Sequence, residues 1–436
     1  MLANNWKQNL HLEPTKGWLN DPNGLAYFNG KYHIFHQYSY EVNGGLKLWY
    51  YYTSSDLKNY EDRGVFLTPT IEEETHGVYS GSANIEDGKL VFYYTGNVKY
   101  KGDYDYVHAG RGHNTISFET EDGINFTEKK CLLTTDDYPN MSNHVRDPKI
   151  FEKNGKKYLV LGARDSNDYG CLLVYDKNTL KPFKTIYSKK NLGFMWECPD
   201  YFEVDGKEIF MFSPQGITRM YPYYENMYQI GYSVVEDGIE NVDKLDNFTL
   251  LDYGHDFYAS QTFLDEDNNR VLIGWMYVPD SSYTNPTTKF GYQNCLTVPR
   301  VVNFKDGKVR QTLHKSVKDL LGNEIKTNDF NKNTWYYKQE HGESFEISVA
   351  DFKVSYENKE LKVSFGTSGY GRNDRKYKLD LEDVEIVFDS SSIELFANGG
   401  SFTISTRFYP ENHDVKILAT NYVAKELGAI EIREEN

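Results

Sequence analysis

The sequence predicts an all-β chain: a five-bladed β-propeller followed by a C-terminal β-sandwich. Three observations carry that prediction. Short runs rich in Tyr, Phe, Val and Ile dominate, while long amphipathic-helix patterns are scarce. Tyr contributes 37 residues, Phe 25, and aromatics reach 16% of the chain, a usage that suits strands and sugar-binding surfaces. A turn-and-strand unit recurs five times before about Gln311, and beyond it the pattern changes to plain alternating strands.

The recurring units are NGKYHIFHQY from Asn29, DGKLVFYYTG from Asp87, NGKKYLVLGA from Asn154, DGKEIFMFSP from Asp205 and the looser DNNRVLIGWM from Asp267. An Asn-Gly or Asp-Gly turn followed by a β run marks a hairpin. Their spacing, roughly 50 to 70 residues, fits one four-stranded blade each. A polar cluster precedes each turn: WLNDPNG at 18–24, YSGSA at 79–83, RDPK at 146–149, ECPD at 197–200 and DFYASQTF at 256–263. The first strands of propeller blades surround the axis, so equivalent positions on them converge. Taken singly, an Asp beside a Pro is a turn residue. In register with a five-fold repeat, Asp21, Asp147 and Glu197 are expected to face one another in one funnel.

After the repeats, SFEISVADFKVSY, ELKVSFG, DVEIVFD, SIELFANGGSFTISTRFYP and VKILATNYVAKEL alternate apolar and polar positions. That predicts a β-sandwich, with a stabilising or flanking role. The expected boundaries are 1–305 for the propeller, 306–325 for a connector and 326–436 for the sandwich. LHKSVKDLLGNE, residues 313–324, is expected to form a short helix in the connector.

Composition excludes several functions. With 48 Lys+Arg against 64 Asp+Glu the charge is −16, which repels nucleic acid and anionic membranes. Cys131, Cys171, Cys198 and Cys295 form no CxxC pair, so neither a zinc ribbon nor a disulfide scaffold is expected. The opening MLANNWKQNLHLEP has no signal-peptide core, and no run approaches the ~18 apolar residues of a membrane span. A cytoplasmic enzyme is the expectation. No HExxH, EF-hand, P-loop or GxSxG pattern occurs, so no metal or cofactor is expected. Ser80 and Ser82 read as hydrogen-bonding residues rather than nucleophiles, and His33 and His36 as packing residues. The oligomeric state is left open.

Three converging carboxylates suit glycosidic-bond hydrolysis, in which one ionised carboxylate attacks and a second, protonated carboxyl serves the leaving oxygen. Asp21 lies between Asn20 and Asn23, whose amides favour its charged form. Glu197 lies in an apolar Trp-Glu-Cys-Pro setting, which favours its protonated form. The expected roles are therefore Asp21 as nucleophile and Glu197 as acid. Asp147, beside Arg146, is left to bind sugar hydroxyls and stabilise positive charge on the ring.

These motifs, with SPQG at 213–216, LDYGHDFYASQTF at 251–263 and LTVPR at 296–300, resemble glycoside hydrolase family 32. SSIELFANGGSFTISTRFYP resembles that family's C-terminal sandwich. The family includes invertases, sucrose-6-phosphate hydrolases, levanases and inulinases. The resemblance implies a retaining β-fructofuranosidase with Asp21 as nucleophile, Asp147 as transition-state stabiliser and Glu197 as acid/base. It implies that Asn20, Gln37, Ser80, Arg146, Tyr258 and Trp275 line the fructosyl pocket, and Trp49 and Tyr79 join them as candidate substrate contacts. It implies no cofactor or metal. The expected substrates are small fructosides: sucrose, sucrose 6-phosphate or short fructo-oligosaccharides. The rivals are a fructosyltransferase, a five-bladed enzyme acting on arabinose or xylose glycans, and a non-catalytic sugar-binding propeller.

The rim departs from the family pattern. Gly44 and Gly45 stand near the place of a family tryptophan, Trp49-Tyr50-Tyr51-Tyr52 replaces Trp-Gly-His-Ala, and Tyr79 replaces a common Phe. The tract YPYYENMYQIGY, residues 221–232, reads equally as a platform for a second sugar or as core. The basic tract at 98–114 reads as a solvated loop, or as a phosphate-facing mouth carrying Lys99, Lys101, Arg111 and His113.

Overall fold

The computed structural model describes residues 4–434. Between Gly17 and Leu313 the chain lays down five sheets in succession. Each is built on four strands paired antiparallel in chain order. The five opening strands are Gly17–Phe28, Val78–Glu86, Met141–Lys153, Met195–Val204 and Tyr258–Leu264. They touch one another in a closed ring: the first meets the second and the fifth, and the third bridges the second and the fourth, which meets the fifth.

The repeated turns join the first and second strands of their sheets. At Asn29-Gly30, Asp87-Gly88, Asn154-Gly155 and Asp205-Gly206 both residues have φ between 49° and 79°. That is the two-residue turn with positive φ at both positions, matched to the right-handed twist of a hairpin.

Every opening strand also slips register at one level. The slips fall between Leu19 and Pro22, Tyr79 and Gly81, Arg146 and Lys149, Glu197 and Asp200, and Tyr258 and Gln261. Asp147, Cys198 and Ala259 in these bulges have φ of 63°, 48° and 51°. A bulge bends its strand and re-aims a side chain, so five bulges at one level turn side chains into a common space.

Apolar seams between neighbouring sheets hold the ring. Phe35, Trp49, Phe92, Tyr94 and Phe118 fill the first seam, with Phe92 and Phe118 stacked at 4.7 Å. Tyr292–Gln293 adds in parallel to Gly17 and Trp18, and Glu431–Glu434 covers the outer edge of the first sheet beside Asn59–Leu67. Covering an edge removes a template for misplaced pairing.

The C-terminal part is a sandwich of two six-stranded sheets. Their inner faces share one core that includes Trp335, Tyr337, Phe345, Ile347, Phe352 and Phe388. The helix expected over 313–324 is confined to Lys315–Lys318, capped by His314. Leu321–Glu324 is instead a strand of the sandwich, paired with Tyr422–Leu427. Gly322 and Asn323 are poor helix formers, and pairing with the sheet supplies the hydrogen bonds a helix would have made.

A buried polar network joins the two parts. Arg300 donates through Nε to Glu394 Oε2 at 2.8 Å, with Nη2 on the same oxygen. Glu394 Oε1 contacts His11 Nε2 at 2.8 Å, and His11 Nδ1 contacts Asp389 at 2.8 Å. Burial opposes a charged His11, but the two carboxylates outweigh it and raise its pKa from 6.5 to about 9. Two predictions follow from this geometry. Glu394→Gln leaves Arg300 and His11 short of a carboxylate and is expected to cost about 3–5 kcal/mol, read as a lowered denaturation midpoint. The stabilisation from His11 is complete below pH 6.5 and lost as pH rises through about 9. The midpoint should therefore fall over that window in the parent protein, and His11→Asn should flatten the fall.

Candidate active site

The five bulges open into a cavity of about 250 Å³ at one end of the ring. Asp21 enters from the first opening strand, Ser80 from the second, Arg146 and Asp147 from the third, Glu197 from the fourth and Tyr258 from the fifth. Residues distant in sequence meet there because equivalent bulges face one axis.

Asp21 is held by two donors. Ser80 Oγ gives its proton to Oδ2 at 2.5 Å, and Asn20 Nδ2 donates to Oδ1 at 3.1 Å. Gln37 fixes both donors, accepting from Asn20 at 2.6 Å and donating to Ser80 at 2.7 Å. Glu197 is held by three. Arg146 donates to Oε1 through Nε at 3.1 Å and Nη2 at 2.7 Å, while Gln215 Nε2 and Tyr258 OH each reach Oε2 at 2.7 Å. Asp147 Oδ2 accepts the Cys198 backbone N–H at 2.8 Å, and the Cys198 thiol lies 3.7 Å from Asp21 Oδ2. One residue thus touches two carboxylates and is bonded in sequence to the third.

Burial is the leading electrostatic effect. It pushes Asp21 above the ordinary carboxylate range; Ser80 and Asn20 oppose it, and the charge of Glu197 adds to it. Burial also lifts Asp147 from 3.8 to about 7, against the pull of Arg146 and with the repulsion of Glu197 and Asp21. Of the two amide neighbours expected to keep Asp21 charged, Asn20 donates to it and Asn23 instead accepts from the Gly81 N–H; desolvation outweighs the donors. The apolar setting expected for Glu197 is not found. Strand alternation sends Trp196 into the seam between sheets, where it is 1% exposed, and turns Glu197 onto polar donors.

Every sequence-predicted site residue lines the cavity except Trp49. Trp49 pairs with Gln37 across the sheet, but its strand is the third of the sheet, farther from the axis. Its ring is fully buried in the first seam, and its Nε1 supports the Tyr79 carbonyl at 3.0 Å. It is a packing residue. Trp275 lines the pocket with an indole N–H that has no hydrogen-bond partner among the described residues.

Trp18, Lys47, Gln215 and Pro279 line the cavity without having been singled out. Trp18 and Gln215 were within quoted motifs; Lys47 lay in the departing rim. The basic tract divides: Arg111 reaches the cavity, Lys99 and Lys101 are exposed, and His113 is buried. Burial drives the pKa of His113 well down, with nearby cations adding to the effect. In the tyrosine tract, Tyr221 and Tyr223 are exposed, whereas Tyr228 packs 6.4 Å from Tyr258.

Comparison with known proteins identifies the family. The family models for the N-terminal domain and the C-terminal domain of glycosyl hydrolases family 32 match residues 11–314 and 318–433. The chain belongs to this family and is a glycoside hydrolase. It is 32% identical over 436 residues to a sucrose-6-phosphate hydrolase of Vibrio alginolyticus, covering 92% of this chain and 85% of that one. It is 32% identical over 450 residues to a raffinose invertase of Escherichia coli, covering 94% and 90%. The structure of a sucrose-6-phosphate hydrolase from Lactobacillus gasseri superposes with a TM-score of 0.86 at 28% identity, covering 98% of this chain and 94% of that one. A Bombyx mori family 32 β-fructofuranosidase, solved as a mutant with sucrose, gives 0.81 at 26%, covering 99% and 96%.

The buried carboxylates stand against stability. Asp147 is charged in the unfolded chain above 3.8 but in the folded chain only above about 7. Its burial therefore destabilises the fold as pH rises across that window. Asn tolerates the positive φ of this position. Asp147→Asn should raise the melting temperature, and by more at pH 8 than at pH 5, even if activity is lost.

Proposed function

We propose that this chain is a retaining β-fructofuranosidase built on a five-bladed propeller, residues 1–305, carrying a sandwich over 326–436 after a connector at 306–325. The observation that carries the reading is the grouping of Asp21, Asp147 and Glu197 around Cys198. Two carboxyl groups on one substrate serve as nucleophile and proton donor, and a separation of about 5–5.5 Å is what a retaining enzyme uses.

In this mechanism a terminal fructosyl unit sits at the floor. Glu197 gives its proton to the glycosidic oxygen as Asp21 Oδ attacks the anomeric carbon. The C–O bond to the leaving sugar breaks and an ester bond to Asp21 forms. Glu197, now ionised, takes a proton from water, whose oxygen attacks the same carbon and displaces Asp21. Asp147 accepts hydrogen bonds from ring hydroxyls and stabilises the developing positive charge. Arg146, Gln215 and Tyr258 hold Glu197 in place. The names of the relatives support sucrose, sucrose 6-phosphate or short fructo-oligosaccharides as substrates.

Fructose release from these sugars tests the reading. Asp21→Asn and Glu197→Gln should each lower kcat by about a thousandfold or more, since their interactions belong to the transition state. A nitrophenyl β-fructofuranoside separates the roles, because its leaving group needs no proton. Glu197→Gln should give a burst of nitrophenol and then stall; Asp21→Asn should give none. Near-parental fructose release in both variants would overturn the mechanism.

A further inference from the structure

The geometry points to His144 as a positioning residue for the acid/base group: pinned to the Tyr106 carbonyl by one ring nitrogen, it anchors Arg146 with the other and so holds the guanidinium fork on Glu197. The inference rests on the hydrolase reading above and adds to it a residue that does not touch the substrate.

Each of the three guanidinium nitrogens of Arg146 has a partner. Nε and Nη2 donate to Glu197 Oε1 at 3.1 and 2.7 Å, and Nη1 donates to His144 Nδ1 at 2.8 Å. A planar fork bonded along one edge to a single oxygen can still turn about that oxygen. A bond from the remaining nitrogen to a fixed acceptor stops the turn. His144 is not one of the residues lining the cavity, so it reaches the reaction only through Arg146.

The donor inventory fixes the state of the ring. A guanidinium only donates and a carbonyl only accepts. His144 Nδ1 must therefore accept from Arg146, and the ring proton sits on Nε2, which lies 3.0 Å from the Tyr106 oxygen. Both ring nitrogens are committed, and the ring has to be neutral to make both bonds. Its surroundings favour that form. Burial, then the charges of Arg146 and Arg111, lowers its pKa to about 3, against the opposing bond to the Tyr106 carbonyl. The ring of His113 packs against it edge-on at 5.4 Å.

The far end of this chain of bonds is built as well. Tyr106 belongs to the loop between Lys89–Lys99 and Arg111–Thr120 of the second sheet. Its φ is 55°, a conformation that a residue other than glycine keeps only where its neighbours over-determine it. Asp105 Oδ1 accepts the N–H groups of Val107, His108 and Ala109 at 2.8, 2.9 and 3.2 Å. The Tyr106 hydroxyl donates to the Tyr100 carbonyl at 3.1 Å. The Asn143 N–H, one residue before His144, donates to the Val107 carbonyl at 2.7 Å. A loop of the second sheet thus braces, through His144 and Arg146 on the third, the carboxylate carried by the fourth.

The test compares the parent with His144→Phe and His144→Gln. Phe keeps a ring against His113 and makes neither bond; the Gln amide can accept from Arg146 and donate to the Tyr106 carbonyl. His144→Phe should lower kcat for fructose release from sucrose roughly tenfold, with KM little changed, and His144→Gln should recover most of that loss. On a nitrophenyl β-fructofuranoside only the water step needs Glu197. His144→Phe should therefore release a burst of nitrophenol at the parental rate and then run slowly, and His144→Gln should not. A histidine that only supported the fold would slow both steps alike. Independently of any variant, the long-range ¹⁵N spectrum of the parent should show His144 as the Nε2–H tautomer near neutral pH. A His144→Phe protein that melts with the parent and keeps its kcat, equal slowing of both steps, a His144→Gln protein no better than His144→Phe, or an Nδ1–H or doubly protonated ring would each overturn the inference and leave the hydrolase reading standing. If the parent releases fructose from none of its proposed substrates, the hydrolase reading falls and this inference with it.

Discussion

Three carboxylates in one small cavity repel one another, and much of the surrounding structure answers that repulsion. Arg146 forks onto Glu197, Ser80 and Asn20 donate to Asp21, and a backbone N–H serves Asp147. Charge-assisted donors of this kind are among the stronger hydrogen bonds, yet burial still leaves Asp21 and Asp147 with raised pKa values. The folded chain keeps three carboxyl groups together at a place that resists their charge. Such a site persists only if the scaffold over-determines it.

The scaffold does so by closure and by clamping. Each bulge sits on a strand packed between two neighbours in the ring, so no carboxylate can relax outward without opening a seam. Tyr292–Gln293 ties the end of the ring to its first strand. The sandwich then grips the ring through buried ion pairs: Arg300 on Glu394, and Arg372 on both oxygens of Asp256 at 2.8 Å. Buried pairs of this kind give little net stability against well-packed apolar groups. Their geometric demand fits a role in fixing how the two parts meet. The sandwich adds no residue to the cavity and acts on the site by holding the ring.

The parts of this architecture legible in the sequence were those written in short segments. The Asn-Gly and Asp-Gly turns encode positive φ directly, and they mark the boundary between first and second strands. The motifs ahead of them hold the bulges, so Asp21, Asp147 and Glu197 could be placed together from spacing alone. What escaped notice depended on three-dimensional neighbours. Trp49 stood among the candidate substrate contacts as part of the departing rim; only its strand's distance from the axis puts it in the seam. Glu197 looked apolar because Trp196 adjoins it in sequence, although alternation sends the two side chains to different places. Leu321–Glu324 took a strand because a partner strand lay beside it.

The same division separates the floor of the cavity from its mouth. The floor is made by the opening strands, whose bulges are local and whose residues recur in register. The mouth is made by later strands and by the loops between them: Lys47 ahead of the third strand of the first sheet, Arg111 at the start of the third strand of the second. The two positions are equivalent in their sheets, yet Arg111 stood out in the sequence only through its basic tract and Lys47 not at all. Lys47 and Arg111 lie outside the bulges, whereas Asp21 and Glu197 sit on the bulged opening strands. Substitutions at the mouth positions can therefore leave the bulges and the ring in place.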